Sequence, residues 1–156
     1  MATSTSSQIS KVREASMRYF DGTQRTVTVT DIETPFPTGR HVISHSDTSG
    51  IIIYVNQFLV DISGYKESEL LNQPHHILRH PDMPPVIFEQ MWKTLRKGHM
   101  WHGAIKNLRK DGGFYWVDAI VTAKKRGGQL LGFLSVRSQL SVETRRKCEK
   151  LYPTLF

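Results

Sequence analysis

The chain is 156 residues long and sets 21 Lys and Arg against 14 Asp and Glu, a formal charge of +7 with its seven histidines neutral. That is enough for one domain with a real core and too little for two, and with 38% hydrophobic and 10% aromatic residues it excludes wholesale disorder. The single cysteine, Cys148, excludes an intrachain disulfide framework, a CxxC zinc site and a CxxCH haem attachment, so the chain reads as intracellular and reduced.

The longest apolar stretch, Ile51 to Val60, is broken by Asn56 and Gln57 and falls short of the ~20 residues of a membrane span. The polar start MATSTSSQ is no signal peptide. Charge is unevenly spread: residues 41–92 hold two basic and six acidic groups, 93–113 six and one, and 124–156 eight and two. A basic excess in the last third suits a nucleic-acid binder, because phosphate contacts come from Lys and Arg, and it equally suits an ordinary solvated surface.

Residues 1–37 read as an extension. Ser10 to Phe20 places Val12, Ala15, Met17, Tyr19 and Phe20 in a loose helical pattern that Asp21-Gly22 ends, and TVTVTDI (26–32) alternates as a possible strand before Pro35 and Pro37. Residues 38–140 form the main domain. Strands at about 41–46 and 51–55 are joined by the turn DTSG, and three short helices follow near 57–62, 67–72 and 75–78. Pro84 opens a longer helix with Ile87, Phe88, Met91, Trp92 and Leu95 on one face, closed by Gly98. Three strands come next, about 101–109, 114–123 and 129–138, with the turns Lys110-Asp111-Gly112-Gly113 and Arg126-Gly127-Gly128. Residues 141–156 make a basic exit helix, capped by Ser141 and ended by Pro153. Two hairpins cannot bury a face alone. The expected fold is therefore α+β, a five-stranded antiparallel sheet with helices over one side.

The chemistry concentrates in QPHHILRHPDMPP (73–85), where His75, His76, Arg79, His80 and Asp82 crowd into a connection stiffened by four prolines. Its histidines and Asp82 offer metal ligands, but the spacing matches no zinc pattern; a purely structural role would have Asp82 capping a helix and Arg79 pairing with it. Along 101–107 the alternation puts Trp101, Gly103, Ile105 and Asn107 on the apolar, inward face. An inward amide costs about 1–3 kcal/mol unless hydrogen-bonded, so Asn107 needs a partner. A flat heterocycle with donors and acceptors on its edge meets that need. On the last strand one face shows Phe133, Ser135 and Arg137 and the other Leu130, Leu134 and Val136, and the pattern does not choose between them. GxSxG, GxxxxGK[ST] and GxGxxG are absent, and Cys148 lies on the basic helix, so the composition favours a binding module over an enzyme.

Several runs resemble the PAS domain of bacterial aerotaxis receptors: IIIYVN (51–56), FLVDISGYKESELLNQPH (58–75), RHPDMP (79–84), MWKTLRKGHMWHGAIKNLRKDGGFYWV (91–117) and LGFLSVR (131–137). The similarity covers about residues 38–152 and extends to the flavin PAS domain of nitrogen-fixation redox regulators. It implies a PAS fold, a noncovalent FAD between sheet and helices, and a sensor of oxygen or redox state within a signal-transduction protein. Carried over by motif, the implied cofactor-binding residues are Asn56, His75, Arg79, His80, Asp82, Trp92, Trp101, Asn107 and Ser135, with no catalytic residue and no metal. Asn107 also matches the strand asparagine of flavin-binding light-oxygen-voltage domains. The resemblance further implies a homodimer through PAS or flanking helices, a downstream signalling or chemotaxis partner, no nucleic acid, and a cytoplasmic domain whose full-length receptor is tethered to the inner membrane. Lys106, Arg109 and Lys110, with Arg79, are expected near the FAD pyrophosphate or ribose, and the basic exit helix faces a signalling partner or an anionic membrane surface.

This sequence also departs from the pattern. It has no cysteine in 73–85, which argues against a photochemical adduct, and His76 stands where the aerotaxis pattern has asparagine. The extension of some 35 residues is longer than the resemblance leads one to expect, and no membrane helix, HAMP segment or coiled coil follows Phe156, which fits an excised domain or a stand-alone protein. Two other readings remain: a haem-binding PAS gas sensor with His75, His76 or His80 as axial ligand, and a cofactor-free interaction module.

Overall fold

A computed structural model describes residues 11–156. The expected helix over Ser10–Phe20 is instead a strand: β1 (Val12–Arg18) pairs antiparallel with β2 (Gln24–Thr30), from Val12 opposite Thr30 to Arg18 opposite Gln24; Ser10 lies outside the described residues. Period two wins here because Ala15 and Met17 on one strand, Tyr19 just beyond its end, and Val27 and Val29 on the other strand share a single apolar face, which packs with Leu108. Asp21-Gly22 turns the hairpin, with the Tyr19 amide donating to Thr23 O at 3.0 Å and Asp21 Oδ1 accepting from Thr23 N at 2.9 Å.

The main sheet is formed by β3 (Val42–Ser46), β4 (Ile52–Val55), β5 (Trp101–Leu108), β6 (Phe114–Arg126) and β7 (Gln129–Ser138), in the order β4-β3-β7-β6-β5 with every neighbour antiparallel. Between β4 and β5 run α1 (Gln57–Ser63), α2 (Glu67–Leu70), a 3-10 turn (His75–Leu78) and α3 (Pro85–Arg96). Pro84 is the cap of α3, and Pro85 takes the first turn, where its missing N–H has no intrahelical acceptor to lose. Leu59, Leu70, Leu78, Met91 and Leu95 from these helices meet Val42, Ile52, Tyr115, Val117 and Ala119 from the sheet in one core. α4 (Val142–Leu151) begins at a Ser141 cap, whose hydroxyl accepts from Thr144 N at 3.2 Å.

The described part of the extension, from residue 11, is fastened to the main sheet. Thr30 N donates to Gly112 O, Phe114 N to Ile32 O and Thr34 N to Phe114 O, at 2.8–3.0 Å, and Phe36 lies in the main core. No described helix is long and apolar enough to cross a membrane.

One glycine matters for assembling the sheet. Gly132, beside the bulge where β7 slips against β6 at Lys124/Lys125, has φ +153°, and a Cβ there would stand 2.0 Å from the Ser46 carbonyl oxygen. Because that atom is backbone, only movement of β3 away from β7 relieves the clash. Gly132→Ala is expected to lower stability by about 2 kcal/mol or more, read as a shifted urea midpoint; an unchanged midpoint would show that the two strands separate freely.

Candidate functional site

A cavity of about 310 Å³ lies between the inner sheet face and the helical segment. At its closed end are Asn107 from β5, Ser135 and Arg137 from β7 and Ser44 from β3, none more than 9% exposed. The register explains the grouping: Ser44 sits opposite Ser135, and Arg137 opposite Val42, so alternate positions of the central strands point the same way. The last strand thus turns Phe133, Ser135 and Arg137 inward. Ile105, Val121 and Phe133 make the apolar floor, while Met91, Trp92, Phe88 and Leu78 make the wall opposite. Trp92 meets Phe133 edge-on, with ring centroids 5.1 Å apart.

Polar groups in this cavity are left without partners. Asn107 Nδ2, Arg137 Nε, Arg79 Nε and His76 Nδ1 are buried and make no hydrogen bond to the described residues. Arg137 donates to Ser44 Oγ, which also lies 3.0 Å from His75 Nε2. Loss of water, reinforced by the Arg137 charge, pushes the His75 imidazole down to about 3, so it is neutral at pH 7. Burial pushes Arg137 down to about 10, which still leaves it charged at neutral pH. Neither arginine in the cavity has a carboxylate partner among the described residues; Arg79 instead lies 4.6 Å from the centre of the Phe88 ring. A backbone bridge ties Arg79 to Asn107, fixing the helical wall against β5.

The residues singled out from the sequence therefore divide. His75, Arg79, Trp92, Asn107 and Ser135 come together around the cavity. Asn56 caps α1, accepting from Leu59 N and Ile43 N at 3.1 Å and donating to His41 O at 2.8 Å, which commits its amide to the fold rather than to the cavity. Trp101 is buried but lies along its own strand, where its ring would be 2.5 Å from a Cβ at Gly103. His80 accepts from Asp82 N at 3.0 Å beneath Phe114, outside the lining. Asp82 neither caps a helix nor meets Arg79: its carboxylate takes Lys106 Nζ at 2.9 Å and the Arg13 guanidinium, and these cations hold it below the ordinary carboxylate range against the opposing effect of burial. The expected cluster of Lys106, Arg109 and Lys110 is likewise committed elsewhere, to Asp82, Asp111 and Glu69.

Polar and aromatic lining residues outside the expected set include Tyr19, Phe20 and Asp21 at the hairpin turn, His76, Ser44 and Arg137. Asp21-Gly22 was the available sign, a common hairpin turn pair that a helix-end reading absorbs equally well. No described group of three His, Cys, Asp or Glu side chains is arranged to hold a metal.

Residues 52–137, strand β4 through the inward arginine of β7, match the family model described as the PAS fold. The chain belongs to the PAS family. It is 40% identical over 127 residues to the aerotaxis receptor of Escherichia coli, covering 81% of this chain and 25% of that protein. It is 36% identical over 101 residues to a nitrogen fixation regulatory protein of Klebsiella oxytoca, covering 64% and 20%. The chain thus spans a fifth to a quarter of these relatives. Among solved structures, a light-oxygen-voltage domain studied with a flavin analogue shares 28% identity at TM-score 0.61, over 73% of this chain and 86% of that one.

Proposed function

We propose that this PAS domain binds FAD and acts as a redox or oxygen sensor in a signalling protein. The observation that carries the reading is the buried Asn107 Nδ2, which faces only the likewise unbonded Tyr115 hydroxyl across the ladder, at the closed end of an apolar, aromatic-walled cavity, beside a charged Arg137 with no carboxylate. A flat ring system with acceptors and a donor along one edge satisfies both groups, and the likeness to a flavin light-oxygen-voltage domain points the same way.

When bound, a flavin supplies reversible electron and proton uptake at its ring, which changes an edge acceptor into a donor. The residues here respond unequally to such a change. The Asn107 amide offers both donor and acceptor by turning over, and the Ser135 hydroxyl does so by rotation, whereas Arg137 donates only. A lost or gained hydrogen bond of about 1–3 kcal/mol corresponds to a shift of roughly 5- to 150-fold in a two-state element. Two structural routes lead outward. β7 is hydrogen-bonded to β3 and β6, and the outer side of β5 is held to the exit segment by Tyr152 Oη donating to Ala104 O at 2.6 Å. Downstream of these routes the reading places a signalling partner, with two copies of the chain paired and the domain in the cytoplasm. The relatives named above are a receptor and a regulator, and turnover of a substrate forms no part of the proposal.

Purified protein should show the two-banded flavin spectrum, bleached by dithionite, with FAD recovered on denaturation. A Soret band would replace the reading by haem, with His75 or His76 as the ligand lining the cavity, and a colourless protein that takes up no added flavin would leave an interaction module.

A further inference from the structure

The open end of the cavity is built from a different part of the chain than the closed end, and its chemistry differs. There the β1–β2 turn contributes Tyr19, Phe20 and Asp21, and the exposed Ser49 also lines the cavity. This hairpin lies outside the family match at 52–137. It is nonetheless fastened to the cavity wall: Arg25 donates to Ile77 O at 3.0 Å and to Tyr65 Oη at 3.1 Å. Tyr19 stacks on His76 with ring centroids 3.6 Å apart and planes 7° apart. Phe20, one residue on, is 65% exposed at the rim and has no aromatic or cationic partner among the described residues. Asp21, also on the rim, holds the hairpin turn through Thr23 and reaches His76 Nε2 at 3.4 Å.

We infer that the hairpin turn is a specificity element of the ligand site, recognising an adenosine beyond the ring and so selecting a flavin dinucleotide over the mononucleotide. The inference rests on the flavin reading above. At about 310 Å³ the cavity is at the lower end of the ~300–1,000 Å³ range of ligand pockets, so a ligand whose ring sits against Asn107 and Arg137 carries its tail out past the turn. What the turn offers there suits adenosine. Phe20 presents an uncovered aromatic face for a base to stack on, and the Asp21 carboxylate accepts from ribose hydroxyls or an exocyclic amine. It suits a terminal phosphate dianion poorly, because Asp21 repels it at the rim. Arg79, deeper and without a carboxylate partner, serves the ring-proximal phosphate that both tails carry.

The test is calorimetric titration of the flavin-free 156-residue chain with FAD, FMN and riboflavin, in wild type and in Phe20→Ala, Asp21→Asn and Tyr19→Phe. Phe20 and Asp21 are exposed, so their replacement spares the core, and riboflavin affinity, which reports the ring end alone, should stay constant across the set. The wild type should prefer FAD to FMN. Phe20→Ala should weaken FAD about tenfold with FMN unchanged. Asp21→Asn should strengthen FMN, and Tyr19→Phe should keep the wild-type preference. Flavin binding whose FAD-to-FMN ratio is the same in wild type, Phe20→Ala and Asp21→Asn overturns the role of the hairpin and leaves the ring site standing. Failure of the wild type to bind any of the three overturns both.

Discussion

Urea titrations should show the domain losing stability as pH falls from about 6.5 to about 4.5, before its carboxylates begin to protonate. The loss comes from histidines held neutral. His75 has a folded pKa of about 3, set first by loss of water and then by the Arg137 charge, and His80 is lowered in the same direction by burial and by Lys106. In the unfolded chain both return to about 6.5, so between these values the unfolded state binds more protons and stability rises with pH. The contribution is fully present above about 6.5 and is lost progressively towards pH 3, on the order of a few kcal/mol in total. Asp82, Asp111 and Glu69 have lowered pKa values, so their contributions are lost as well, but only once pH reaches the carboxylate range near 4. His75→Gln should flatten the upper part of the profile. A wild-type midpoint that stays level from pH 7 to 5 would mean that these rings take up protons without opening the structure.

Asn107→Leu should have opposite effects on two measurements. Without ligand the wild type buries an amide whose Nδ2 has no partner, at a cost of about 1–3 kcal/mol, so the leucine variant should unfold at higher urea. Flavin affinity should fall by roughly 10- to 100-fold, because the leucine offers the ring edge nothing in exchange for water. This pairing separates a ligand residue from a packing residue: a polar group that served only the fold would lose stability when replaced. Retained flavin at parental occupancy would remove Asn107 from the site. Trp101→Ala is a useful contrast, since its ring lies along β5 outside the lining; it should lower stability through lost burial, and lower flavin content only as far as the fold loosens.

The main sheet was readable from the chain because its signals agree with one another. Alternation over Trp101 to Asn107, the KDGG and RGG turns and the Pro84-Pro85 start of α3 point to the same elements that form. β7 was undecidable alone, since Leu130, Leu134 and Val136 make one face the more apolar while Phe133 sits with Ser135 and Arg137 on the other; its side is settled by pairing with β3, which turns Ser135 and Arg137 inward opposite Ser44 and Val42. The N-terminal helix failed for a comparable reason. Val12, Ala15, Met17, Tyr19 and Phe20 fit a loose helical period, and Ala15, Met17 and Tyr19 fit a strand period equally well, until Val27, Val29 and Leu108 supply the partner surface. Within the site, the RHPD segment drew attention as a unit, yet its side chains part company: Arg79 turns to the cavity, while His80 and Asp82 turn to Phe114, Lys106 and Arg13. Local sequence does not encode that divergence, because the partners that draw Asp82 away lie 24 and 69 residues distant.

The strand order has a kinetic corollary. β3 is the first strand of the main sheet to be synthesised, and its partner β7 is the last, with Ser44 pairing across 91 residues to Ser135. Loop-closure entropy must be met before that pairing contributes anything, which puts the domain among slow folders, in the range of about milliseconds to seconds. A nascent chain that has not reached Gln129 lacks the central strand and, with it, Phe133, Ser135 and Arg137. Ligand capture during synthesis therefore has to wait for β7, and a flavin in the folding medium should act on the final docking of that strand rather than on the collapse of the helical segment.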